Sequence, residues 1–147
     1  MSVGLAKAAG TLLGLVTATM GLGSAVRTIA QFETSMSGVE AVTRATTAEL
    51  ASLRDVAKEL GASTEFTSSQ VAEGIRFLGM AGFTAAEALE AIPDVMNLAT
   101  AAGQGLAETA DTASNSMSGF GIAAEKAGSV TDILAAASTR ANKSVAQ

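Results

Sequence analysis

Histidine, cysteine, tryptophan and tyrosine are all missing from this chain of 147 residues. Without histidine there is no side chain that titrates readily near neutral pH, the usual proton shuttle of acid–base catalysis. Without cysteine there is no thiol nucleophile, no disulfide and no soft-metal site. Serine, threonine, lysine and carboxylates remain, and these need a shaped environment before they do chemistry. Proline occurs once and aromatics make up only 3% of the chain, although apolar residues reach 48%. The apolar content is therefore carried by Ala, Leu, Val, Ile and Met, with 15 glycines between them. Alanine favours helix because it loses no side-chain entropy there. Helices rich in Ala and Gly approach closely, but each contact buries little area. Modest stability as a monomer and a need for partner helices are expected.

The net charge of −5 is unevenly placed. Residues 1–32 hold Lys7 and Arg27 and no acid, while the remainder holds 7 basic and 14 acidic groups, a charge of −7. No cluster of Lys or Arg offers phosphate contacts, which argues against nucleic-acid binding. The compositional boundary near Phe32 divides the chain into residues 1–31, a hydrophobic Gly/Thr-rich helix, and residues 32–147, an acidic helical body.

Ala8 to Val26 is uncharged. As a helix it would span roughly 28 Å at about 1.5 Å per residue, close to a bilayer core. Three readings stand: a membrane-inserting helix, a signal peptide cleaved near Gly23-Ser24-Ala25, and a helix buried among copies of itself. Gly10 and Gly14, with Leu12, Leu13, Leu15 and Val16, are the candidate residues for self-association or insertion, because small residues four apart allow close helix packing.

The body reads as an all-α fold of short to medium helices joined by glycine-marked corners. Thr46 with Glu49, Thr67 with Gln70, and Thr84 with Glu87 have the spacing of capping boxes. Gly61 stands where a left-handed C-terminal cap belongs, Gly82 where the next helix ends, and Gly103-Gln104-Gly105 where a third ends. Pro93 predicts a kink or break near Ile92. Gly119 and Gly121 flank Phe120 in a further corner, and a last helix is expected from about Ala123 to Arg140, weakened by Gly128. The apolar spacing nominates Leu53, Val56, Leu60, Val71, Ile75, Leu78, Phe83, Leu106, Met117 and Phe120 as the helix-packing core. Phe83 is expected to plug the corner it occupies, and Met80, Met96 and Met117 to fill gaps.

Motifs that could carry chemistry have simpler explanations. Gly79-Met80-Ala81-Gly82 and Gly103-Gln104-Gly105 lack the Lys-Ser/Thr of a nucleotide-binding loop and read as helix ends. Glu87/Glu90 and Asp55/Glu59 could pair in a hydrolase, but at helical spacing they describe a solvated face. Asn142-Lys143-Ser144 matches a glycosylation sequon, a pattern common by chance. Neither a catalytic residue, a cofactor site nor a metal site is expected.

Specific words in the sequence go further than its periodicity. AKELG at Ala57–Gly61, Thr64-Glu65-Phe66-Thr67, VAEGIRFLGMAGF at Val71–Phe83, Asn97-Leu98-Ala99 after Pro93, LAETAD at Leu106–Asp111 and SGFG at Ser118–Gly121 occur in order, preceded by FETSMSGVEAV at Phe32–Val42. In these words the chain resembles the core region of TP901-type tail tape measure proteins of long-tailed bacteriophages. The resemblance implies a helical, non-enzymatic structural protein. Such a protein lies in the lumen of the virion tail, sets tail length, and is enclosed by tail tube subunits. It implies partners as well: further copies of itself, tail tube subunits, tail assembly chaperones and tail tip proteins. It also implies a cytoplasmic phase in the host during assembly and release on infection. The alternative is a membrane-inserting helical protein that aids DNA passage through the host envelope. A continuous helix of 147 residues reaches only about 220 Å, short for a ruler, so a fragment, a truncated form or a prophage remnant is expected.

Overall fold

The computed structural model describes residues 26–145, with the backbone alone at Thr139 and 141–145. They belong to two compact units, which meet in the sequence between Glu33 and Thr34. In the first, residues 26–33 are helical, and Val26 and Ile29 are exposed. The second unit is all-α. Its helices are α1 (residues 26–43, from Thr34 onward in this unit), α2 (Thr47–Ser63), α3 (Ser68–Met80), α4 (Ala85–Ala102), α5 (Leu106–Gly119) and α6 (Ala127–Val145), the last preceded by a short 3-10 turn at Ala124–Lys126. No strand occurs among the described residues.

Three of these helices start in the same way. The Thr46 hydroxyl accepts a hydrogen bond from the Glu49 backbone N–H, and the Glu49 carboxylate accepts one from the Thr46 N–H at 2.8 Å. Thr67 with Gln70 and Thr84 with Glu87 repeat the exchange. Each box satisfies two N–H groups that a helix start leaves without partners.

Three helices also stop in the same way. Gly82, Gly103 and Gly121 take φ values of +99°, +65° and +62°, a region that costs other residues a steric clash. The residue after each glycine folds back onto the helix it leaves: Phe83 N–H donates to the Leu78 carbonyl, Gln104 to Ala99, and Ile122 to Met117. These corners are three or four residues long: Ala81-Gly82-Phe83-Thr84, Gly103-Gln104-Gly105 and Phe120-Gly121-Ile122-Ala123. Short connections of this kind return each helix against its predecessor.

Gly61 does not follow this pattern. Instead of capping α2 it lies inside it, and the helix runs on to Ser63. Ser63 and Thr64 place their hydroxyls on the carbonyls of Glu59 and Leu60, which carries the helix past the glycine. The glycine serves close approach: a Cβ at Gly61 would sit 2.7 Å from the Cα of Ser68. Pro93 does not break α4 either. Its missing N–H removes one hydrogen bond, yet α4 runs unbroken from Ala85 to Ala102. Ala88, Ala91 and Ile92 before the turn's end, and Val95, Met96, Leu98 and Ala99 after it, are all buried. Packing on both sides of the proline offsets a local cost of about 3 kcal/mol.

Helix α3 packs most extensively on α5 and also on α2 and α4, while α4 packs on α2, α3, α5 and α6. At Gly74 a Cβ would come within 3.0 Å of Ile92 and 3.1 Å of Leu106, so three helices converge on one missing side chain. Met36 and Val39 of α1 are fully buried, and the end of α1 lies on Gly79 through Val42 and Thr43. The buried polar groups are satisfied locally: Thr109 donates to the Gly105 carbonyl and Ser114 to that of Asp111.

Candidate functional site

The residues nominated for packing fall into three groups. Leu53, Val71, Ile75, Leu78, Phe83, Leu106 and Met117 are buried. Val56 and Leu60 are half-buried on α2, whose outer flank faces solvent. Phe120 departs from expectation, because it is 83% exposed. It stands one residue before the left-handed Gly121 rather than one after, and the helix unwinds at that point and turns the ring outward. Met80 is likewise exposed, in contrast to buried Met96 and Met117. On α6 the inward positions are Ala127 and Thr131, and Ile133 is 68% exposed. The candidate residues for self-association or insertion, Gly10, Leu12, Leu13, Gly14, Leu15 and Val16, lie outside the described residues, as does all of the uncharged run except Val26. No helix of the described residues is long and apolar enough to cross a membrane.

The acidic pairs have structural surroundings. The Glu87 carboxylate accepts the backbone N–H of Thr84 and then its hydroxyl, both at 2.7 Å, which holds its carboxyl below the usual carboxylate range. A general acid needs the opposite shift. Glu90, Asp55 and Glu59 are exposed on helix faces. No group of three or more acidic residues among the described residues is arranged to hold a metal ion. The glycine-rich stretches coincide with the ends of α3 and α4.

One concavity joins residues far apart in sequence. Glu65 and Phe66, from the α2–α3 connection, meet Ala99, Thr100, Gly103 and Gln104 at the end of α4 around a cavity of about 310 Å³. The Thr100 hydroxyl donates to Glu65 Oε1 at 2.5 Å and ties the two corners together. Sequence patterning does not single out this site. Its only signal is that two helix ends, about 39 positions apart, fall at the same end of a bundle of alternating helices.

The comparisons with known proteins agree with this architecture of capped helices. A model of the family described as phage-related minor tail protein matches residues 54–147. This chain belongs to the phage-related minor tail protein family. The resemblance to tape measure proteins is also upheld: a protein named tape measure protein, from Pneumococcus phage Dp-1, is 34% identical over 131 residues, 89% of this chain. The chain spans 11% of that relative's length. No solved structure matches it. Members of the family are phage tail proteins, and the family model begins within α2 and takes in α3 to α6 of the all-α body.

Proposed function

We propose that this chain is a structural, non-catalytic stretch of a tail tape measure, acting in tail assembly and tail-length determination. The observation that carries the reading is the alignment of 89% of the chain with a protein named as a tape measure. The all-α body, with no strand among the described residues, supports it. In this role the chain lies in the tail lumen, enclosed by tail tube subunits. Further copies of itself, tail assembly chaperones and tail tip proteins are its other partners, and it leaves the tail on infection.

An in-frame deletion of α4, Ala85–Ala102, in a phage carrying this sequence tests the reading. If these 18 residues lie extended in the ruler, tails should shorten by about 27 Å, at about 1.5 Å per residue. A tandem duplication of the same residues should lengthen tails by as much. Assembled tails of unchanged length in both variants, measured by electron microscopy, would remove this stretch from the ruler.

A further inference from the structure

We propose that the hollow between the α2–α3 and α4–α5 corners is a docking pocket for one basic side chain, a lysine or arginine of a partner protein. The proposal stands on the geometry of this hollow and does not require the tail-length role.

Charge is the first argument. Glu65 Oε1 is held by the Thr100 hydroxyl, and among the described residues the exposed carboxylate has no ion pair. Helix α4 ends beside it and carries no basic residue in its last turn. A helix C-terminus bears a partial negative charge of about half an electron. Carboxylate and helix end therefore add to a negative potential that nothing in the pocket neutralises. The uncharged amide of Gln104 at the rim offers one more acceptor.

Shape is the second argument. The volume of about 310 Å³ is open to solvent. It lies at the lower limit for small-molecule sites, roughly 300–1,000 Å³. One side chain reaching in from another chain fits this better than an enclosed ligand does. The Phe66 ring, 8% exposed, supplies the apolar part of the wall, and Ala99, which also lines it, is fully buried. Lysine and arginine match such a wall, because their methylene stems lie along apolar surface.

The partner is a different protein rather than a second copy. Residues 33–147 carry a charge of −7, so two such bodies repel, whereas a basic protein is steered toward the acidic one.

The test uses the whole chain and three probes: the N-acetyl methylamides of lysine, arginine and norleucine, followed by backbone amide NMR shifts. Saturable shifts at Glu65, Phe66, Thr100, Gly103 and Gln104 are expected with the two cationic probes and not with norleucine. Raising salt from about 0.05 M to 0.5 M should weaken binding several-fold. Glu65→Gln should weaken it about tenfold, the loss of one charge-assisted contact. Glu65→Lys should abolish it. Thr100→Val, which frees the carboxylate but keeps its charge, should weaken it less than Glu65→Gln. Equal binding of norleucine, or unchanged affinity in Glu65→Gln, would overturn the proposal. So would self-association in sedimentation that Glu65→Gln removes, since that would assign the pocket to a second copy.

Discussion

Phe83 and Phe120 sit at two corners built on the same plan, yet one is 8% exposed and the other 83%. Both corners have a left-handed glycine and a folded-back hydrogen bond from the residue that follows it. The difference is one position of register. Phe83 follows its glycine, where the chain has reversed and the Phe83 N–H donates back to the Leu78 carbonyl. Phe120 precedes its glycine, where the last turn is opening. In a glycine-stopped corner, the position relative to the glycine decides whether a large side chain is core or surface.

The sharpest way to break this comparison is to truncate both rings. Phe83→Ala should lose about 3–5 kcal/mol, as expected for a buried aromatic, and Phe120→Ala should stay within about 0.5 kcal/mol of the parent. Urea unfolding measures both, and comparable losses would refute the register argument. The first change rivals the total stability of an ordinary domain, about 5–15 kcal/mol, so Phe83→Leu is the companion variant.

Gly61 separates close approach from corner-making. Its added Cβ meets the backbone of Ser68, which cannot swing aside. Gly61→Ala should therefore destabilise by about 1–3 kcal/mol, although alanine improves helix propensity by about 1 kcal/mol. A stabilised variant would show that the α2–α3 approach is looser than described.

The glycine corners differ from the α1–α2 connection, where Arg44 takes a φ of +51° without being glycine. Gly121→Ala should cost about 1–2 kcal/mol, because it forces a Cβ into the left-handed region. Arg44→Gly relieves that same clash and adds unfolded-state freedom. The two effects nearly cancel, leaving a change of about 0.5 kcal/mol. Unfolding midpoints compare the two directly. An Arg44→Gly effect as large as that of Gly121→Ala would mean that the two effects at Arg44 do not cancel.

The smallest effect separates the three helix starts. Glu49 is held below the ordinary carboxylate value of 4.5 first by the Thr46 hydroxyl and then by its backbone N–H, and Glu87 is lowered by Thr84 in the reverse order. A depressed folded-state value gives stability that is complete above the ordinary value and lost as pH falls through the lowered one. Gln70, in the third box, does not titrate. Stability followed from about pH 6 down to pH 3 should fall less steeply in a Glu49→Gln, Glu87→Gln double variant than in the parent. Parallel curves would mean that the caps do not contribute to the acid response.

Much of this was legible in advance because capping is local. A threonine three residues ahead of Glu or Gln, and a glycine after an apolar run, act through hydrogen bonds a few residues long. The starts at Thr46, Thr67 and Thr84 and the stops at Gly82 and Gly103 are therefore written in the sequence, as are the all-α class and the words shared with tape measure proteins. The tertiary structure decided what depends on distant neighbours. It kept α4 whole across Pro93, because buried residues on both sides outweigh one lost hydrogen bond. It placed Gly61 inside a helix, because Ser68 needed the space, and it turned Phe120 outward. It also brought Glu65 to Thr100 across 35 positions, a contact that no local pattern encodes because only the return of two helices to the same end creates it.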